Sequence, residues 1–380
     1  MKLIERNNNI LDNQPDLEDL ETIENFPVFM GCVKHSVEED ISVNMTWSIS
    51  ANHGVVQLKN LVPLNILYGT HHDSGVVGNI WIEHHKKFAE FIKEYSPNSI
   101  LEIGGAHGIL SREYSNEAKV SWVILEPNPA PAHGVDVEFI QGFFDEKFNF
   151  SREIDTIVHS HVLEHIYNPD KFISDASNFL KDGQNLIFSI PNMEEMLKRN
   201  YTNCINFEHT ILLTEPYIEY LMSKNGFKKI KKEYFKDDHS IFYAYVKDRK
   251  TKLIDLPLNL YSCNKKLYSA YSKYLKKLIS SLNQKIANTK PEREIFLFGA
   301  HVFAQTLIAF GLNTSRLKFL LDNDFNKQDK RLYGTEMFVK SPRILQKVEM
   351  PIVILKAGIY NKEISDDILH NINPETIFWD

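Results

Sequence analysis

The chain has 380 residues, 43% of them hydrophobic and 24% charged, with a net charge of −7. That balance suits a soluble globular protein of two or three domains. The acidic sign excludes a general binder of nucleic acid or anionic membrane, which needs a basic face.

The predicted elements fall into blocks. The opening stretch "MKLIERNNNILDNQPDLEDLE" is polar and acidic without a signal-peptide core, and reads as a partly disordered or surface-lying lead-in. Residues 1–82 form an irregular region with strand-like pieces "FPVFMGC", "VNMTWSIS" and "GVVQLKNLVPLNILYG". A helical pattern from Trp81 to Tyr95 leads into a second block, 83–250. There "SILEIGG", "SWVILEP", "VEFIQG", "IDTIVHS" and "NLIFSIP" alternate with helical patterns, which predicts a parallel sheet with helices on both faces. "GFKKIKKEYFKDDHSIFYAYVKD" closes the block as an antiparallel hairpin, its lysines lying along a solvated strand edge. Residues 251–292 are a helical connector with apolar spacings of three and four. From 293 to 380 "REIFLFGAHVFAQTLIAFGL", "LKFLLDN" and "MPIVILKAG" predict a second, smaller α/β unit. No apolar run approaches the roughly 20 residues that cross a bilayer. Three scattered cysteines, Cys32, Cys204 and Cys263, fit reduced thiols of a cytoplasmic protein. The Asn-, Lys- and Ile-rich usage hints at an AT-rich, bacterial genome.

"ILEIGGAHGIL" is the most informative stretch. A strand ends at Glu102, turns through Gly104 and Gly105, and enters a helix near Gly108, so a ligand can lie against the backbone. The dinucleotide fingerprint fails, because positions 106 and 109 are Ala and Ile, and no phosphate-loop Gly-Lys-Ser/Thr follows. Glu126, at the tip of the next strand, can accept both hydroxyls of a ribose or else cap the following turn. Downstream, Glu208 and His209 stand side by side after the fifth strand. A histidine there suits proton abstraction near neutral pH and a carboxylate can orient it, although a loop histidine beside a helix cap has the same pattern.

The spacing Glu-x-Gly-x-x-x-Gly resembles the first motif of class I S-adenosylmethionine-dependent methyltransferases, with Ala106 where the family carries a further glycine. The resemblance implies a Rossmann-like seven-stranded sheet and S-adenosylmethionine as cofactor. It also implies cofactor contacts from Glu102, Gly104, Gly105, Gly108, Glu126 and Pro127, adenine packing at Gly142 and Phe143, and a closing loop at Ser160 and His161.

Within that class the chain is similar, over residues from about 98 to 380, to the sugar C-methyltransferases that act on nucleotide-linked ketosugars. "NFEHTILL" matches the family's Tyr-x-Glu-His motif at Glu208 and His209, with Asn206 at the tyrosine position. "FGAHVFAQTLIAFGL", "LLDNDFNKQDKRLYGTEMFVKSP" and "VILKAGIYNKEI" follow the pattern of its C-terminal domain. The resemblance implies His209, helped by Glu208, as base, Asn206 beside the forming enolate, and a small-molecule substrate. Tyr68, His72 and Ser74 fall where the family has a segment facing cofactor and substrate. The family's zinc-binding cysteine pairs are missing: only Cys32 remains, with His35 and His53 nearby, so the block is read as metal-free, a rebuilt Cys-His site being the alternative. The pairs His71/His72 and His84/His85 are read as surface or packing residues, because neighbours in sequence point apart. An O- or N-methyltransferase acting on a glycan precursor and a non-catalytic binding protein on the same fold are the rival functions.

Overall fold

The computed structural model describes residues 1–68, 78–114 and 120–380; His71, His72 and Ser74 lie outside them. The first block holds a three-stranded antiparallel sheet, β1 (Leu17–Pro27), β2 (Ser42–Ser50) and β3 (Val56–Leu58). The lead-in is therefore not loose. Its acidic residues are consumed inside the fold: Asp16 accepts from the Ser50 hydroxyl and the Asn52 N–H, and Asp19 from Ser48 and Lys59. Leu11 is fully buried against the central domain.

The central sheet has seven strands: β4 (Ser99–Ile103), β5 (Ser121–Glu126), β6 (Glu138–Gln141), β7 (Thr156–Ser160), β8 (Asn185–Pro191), β9 (Phe227–Phe235) and β10 (Ser240–Lys247). Their order is β9-β10-β8-β7-β4-β5-β6, and β10 runs antiparallel to both of its neighbours. Reversing at β4 puts the C-terminal ends of β4 and β7 side by side, the crevice where open α/β sheets bind ligands. Alternation splits the core. Leu101 and Ile103 pack on one face with Phe172 and Ile173 of α3 (Pro169–Phe179). Ile100 packs on the other with Phe88 and Ile92 of α1 (Asn79–Lys93). On edge strand β9, Lys229, Lys231 and Lys232 pair with Glu219, Glu94 and Glu215, which neutralises the stripe and discourages edge-to-edge pairing.

A 29-residue helix, α6 (Leu260–Asn288), then leads to a five-stranded parallel sheet. Its strands β11 (Ile295–Phe298), β12 (Leu317–Leu321), β13 (Val339–Lys340), β14 (Ile352–Leu355) and β15 (Ile377–Trp379) stand in the order β13-β12-β11-β14-β15. Among the described residues, no helix is long and apolar enough to cross a membrane.

The candidate Cys-His metal site is not assembled. Cys32 Sγ lies 3.5 Å from the Ala300 carbonyl, His35 Nε2 3.0 Å from Asp40 and His53 Nε2 2.8 Å from Asp12. Three separate partners satisfy the three potential ligands, and burial pushes the Cys32 thiol up to about 12, away from the thiolate a metal needs. In place of a metal, the buried pair Asp40–Arg331 fastens this block to the C-terminal domain.

Candidate active site

The turn after β4 is built for close approach. A Cβ on Gly104 (φ +72°) would sit 2.6 Å from Val162 Cγ2. Ala106, at the position where a further glycine was expected, still takes a left-handed backbone, φ +40°. Its conformation is held by Glu126, whose Oε2 accepts the Ala106 N–H at 3.1 Å while Oε1 accepts that of Asn128 at 2.9 Å. Glu126 thus caps the turns and also faces the cavity. Glu102 is buried beneath them. It accepts Trp122 Nε1–H at 2.8 Å, and burial, against the pull of that bond, raises its carboxyl to about 7.

These residues line a cavity of about 790 Å³, together with Gly105, Pro127, Gly142, Phe143, Ser160 and His161. Phe143 is half exposed at its rim, free to cover a planar ligand. The cavity continues past Tyr68, Asn206, Glu208 and His209 to Phe298, Gly299 and Tyr360 of the C-terminal domain. Gly108 lies behind the lining, its Cβ position 2.6 Å from Val135.

Two Glu-His dipeptides meet here. Glu164 and His165 lie on the turn after β7, Glu208 and His209 on the segment after β8. Partners cross between them. Glu208 Oε2 is 3.6 Å from His165 Nδ1, and Glu164 Oε1 is 3.7 Å from His165 Nε2. The rings of His165 and His209 stand perpendicular, 5.3 Å apart. Glu208 thus lies against His165, and Glu164 acts on His209. Both Glu164 and His165 were missed as site residues; the signal for them was the repeated Glu-His after adjacent strands.

His209 Nδ1 faces the Cys204 carbonyl at 3.3 Å. A carbonyl only accepts, so Nδ1 carries the hydrogen and Nε2 keeps the basic lone pair. Burial holds this imidazole below the ordinary histidine range, with Glu164 opposing. Asn206 lines the cavity with its side-chain oxygen committed to the backbone. Its oxygen accepts the N–H of both Glu208 (2.8 Å) and His209 (2.7 Å), and so fixes the turn that aims them. Beyond the turn, β3 pins the segment through Leu58 N–H to Thr210 O and Leu212 N–H to Val56 O. Tyr68 belongs to the same group: its hydroxyl is 2.9 Å from His165 Nδ1. His161 lines the cavity, but its ring packs against Trp81, His84 and His239 and bonds to Ser240. His84 is fully buried, a packing residue.

Burial raises the Glu208 carboxyl to about 8. An unfolded glutamate titrates near about 4.3, so between these values the folded chain holds a proton that the unfolded chain releases. The stability this contributes is fully present below the unfolded pKa and is lost as pH rises through the folded one. Glu208→Gln is therefore expected to gain thermal stability over the native chain at pH 8 relative to pH 5. An equal difference at both pH values, in paired melts, would refute this.

Residues 80–232 match the family described as a methyltransferase domain. Those residues therefore form a methyltransferase domain, with S-adenosylmethionine as its cofactor. Similar solved structures include the N-methyltransferase NodS of Bradyrhizobium japonicum, at 14% identity over 44% of this methyltransferase and 97% of that chain, TM-score 0.34. Another is a putative S-adenosylmethionine-dependent methyltransferase of Listeria monocytogenes, at 10% identity over 44% and 99%, TM-score 0.35. A third is the magnesium protoporphyrin IX methyltransferase of Synechocystis, at 14% identity over 48% and 89%, TM-score 0.34. No curated protein matches the methyltransferase in sequence.

Proposed function

We propose that this methyltransferase adds a methyl group to carbon, at the position beside the ketone of a nucleotide-linked sugar, through an enolate. The observation that carries the reading is His209 Nε2, a neutral imidazole with Glu164 behind it, in the same cavity as the glycine turn. Glu126 holds the ribose hydroxyls, Phe143 covers the adenine, and the Gly104–Gly105 turn lies against the methionine end. His209 takes the proton from the carbon next to the ketone. The carbon's electron pair attacks the methyl group in line, and the sulfonium leaves as the neutral thioether S-adenosylhomocysteine. Burial, followed by the nearby Glu208 and Tyr167, holds Tyr68 well above the ordinary tyrosine range, so it stays a phenol. Its hydroxyl is the donor for the enolate oxygen, and it supplies the phenolic proton that Asn206 lacks.

A second reading, O- or N-methylation, draws support from charge. Among the described lining residues eight carry carboxyl groups, of which burial pushes Glu102 and Glu208 up toward the neutral form, and one, Lys327, is a lysine or arginine; the remaining acidic excess is a poor setting for a sugar diphosphate and a better one for a neutral or amine-bearing acceptor. The experiment is mass spectrometry of nucleotide 4-ketosugars in D2O, with S-adenosylmethionine and then with S-adenosylhomocysteine. A new methyl group, and deuterium wash-in without transfer, is the expected result. Tight cofactor binding with neither would hand the acceptor to the second reading.

A further inference from the structure

Beside the base, three more imidazoles converge on the cavity wall. His84 comes from α1, His161 from the end of β7 and His239 from the turn between β9 and β10. One ring atom of each lies within 4.8 Å of those offered by the other two. Each ring hydrogen-bonds a serine hydroxyl through one nitrogen: His84 Nε2 to Ser189 (2.9 Å), His161 Nε2 to Ser240 (2.8 Å) and His239 Nδ1 to Ser240 (2.6 Å). The opposite nitrogens are poorly served. His84 Nδ1 is buried with no hydrogen-bond partner. His239 Nε2 is 3.5 Å from the Tyr360 hydroxyl. His161 Nδ1 lies 3.4 Å from Glu164 Oε1, and both oxygens of that buried carboxylate lack a hydrogen bond. A buried polar atom left unsatisfied costs about 1–3 kcal/mol, more when charged. An imidazole nitrogen and a carboxylate buried without hydrogen bonds beside one cluster are groups that one cation would satisfy together.

We propose that His84, His161 and His239 form a site for a divalent transition metal of the zinc class, with Glu164 as the adjacent negative charge. Three imidazoles and a carboxylate suit zinc, cobalt, nickel or iron, whereas magnesium and calcium seek oxygen ligands. Burial keeps all three rings uncharged at neutral pH, the form that ligates. The serines take the usual place of groups that fix the orientation of ligating imidazoles. Zinc–nitrogen distances of about 2.0–2.1 Å require the rings to draw in by roughly an ångström. Trp81 stands edge-on to all three, at 5.2, 5.0 and 4.9 Å. His161 and His239 border the cavity, so an ion held by them would lie at its wall. The site does not depend on which acceptor is methylated.

The test is titration of chelator-treated full-length protein with Co2+ and Zn2+, by calorimetry and by the visible absorption of bound Co2+. One equivalent with a four-coordinate spectrum is expected. His84→Leu and His239→Gln should each weaken binding about 100-fold, and His209→Gln should leave it unchanged. Retained S-adenosylmethionine binding and a cooperative melt establish that the variants are folded. No uptake by the native protein, or uptake untouched by His84→Leu and His239→Gln, overturns the proposal. So does loss in His209→Gln, which would place the ion on Glu164, His165 and His209 instead.

Discussion

His209→Gln should slow methyl transfer by about 100- to 10,000-fold, the usual worth of a positioned general base, while S-adenosylmethionine binds as before. Glutamine keeps a donor for the Cys204 carbonyl, so the turn set by Asn206 survives. What is lost is the lone pair at Nε2. Burial holds the native imidazole low and Glu164 partly opposes it, so the base is already unprotonated at neutral pH. Its activity disappears only as acid protonates it, on the low side of the ordinary histidine range. The decisive comparison is single-turnover transfer by His209→Gln and His165→Gln, with cofactor affinity measured separately. If His209→Gln transfers within tenfold of the native rate and His165→Gln does not, the base is His165, held by Glu208 and Tyr68.

The second large effect concerns stability. Arg331 grips Asp40 through both carboxylate oxygens, at 2.6 and 2.9 Å, with the two side chains 7% and 4% exposed. Arg331→Met leaves that carboxylate buried without its partner, which costs about 3–5 kcal/mol in comparable pairs. Burial raises the Asp40 pKa, but Arg331 and the Gly334 N–H outweigh it and the net shift is downward. A lowered folded pKa means stability present above the unfolded value and lost as pH falls through the folded one. The native advantage over Arg331→Met should therefore be full at pH 7 and shrink in acid. Urea unfolding at pH 7 and pH 4 measures both, and a loss below 1 kcal/mol at pH 7 would show that the pair does not seat the block. Asp40→Leu combined with Arg331→Met should recover much of the loss, because no charge is then stranded.

The central sheet was legible because its signals are local. Ile100 and Leu101 alternate between two cores, and the turn chemistry of Gly104 to Gly108 needs no distant partner. The proposed base was half legible. His209 stands where its motif put it, but adjacency suggested Glu208 as its helper, and adjacent side chains on a turn diverge. The carboxylate that acts on His209 in the structure, Glu164, arrives from a neighbouring strand, a pairing that topology alone creates. Asn206 read as a failed phenol, yet its short amide is what holds the turn. Asp16 and Asp19 counted as solvation signals in the lead-in because their partners, Ser50, Ser48 and Lys59, lie 29 to 40 residues on. His84 read as a surface or packing residue, and the packing of α1 on the sheet decides for packing.

The seating of the first block has a consequence for how the protein is made. Phe29 receives its bond from Gln305, Cys32 and Val33 pair with Leu332 and Arg331, and Asp40 waits for Arg331, 291 positions later. At ribosomal rates of about 5–20 residues per second, roughly 15–60 s separate the appearance of those partners. Through that interval Phe26, Phe29 and Val33 have left the ribosome without the surface that covers them. The apolar side chains of this block are therefore covered only when the C-terminal domain reaches back to them.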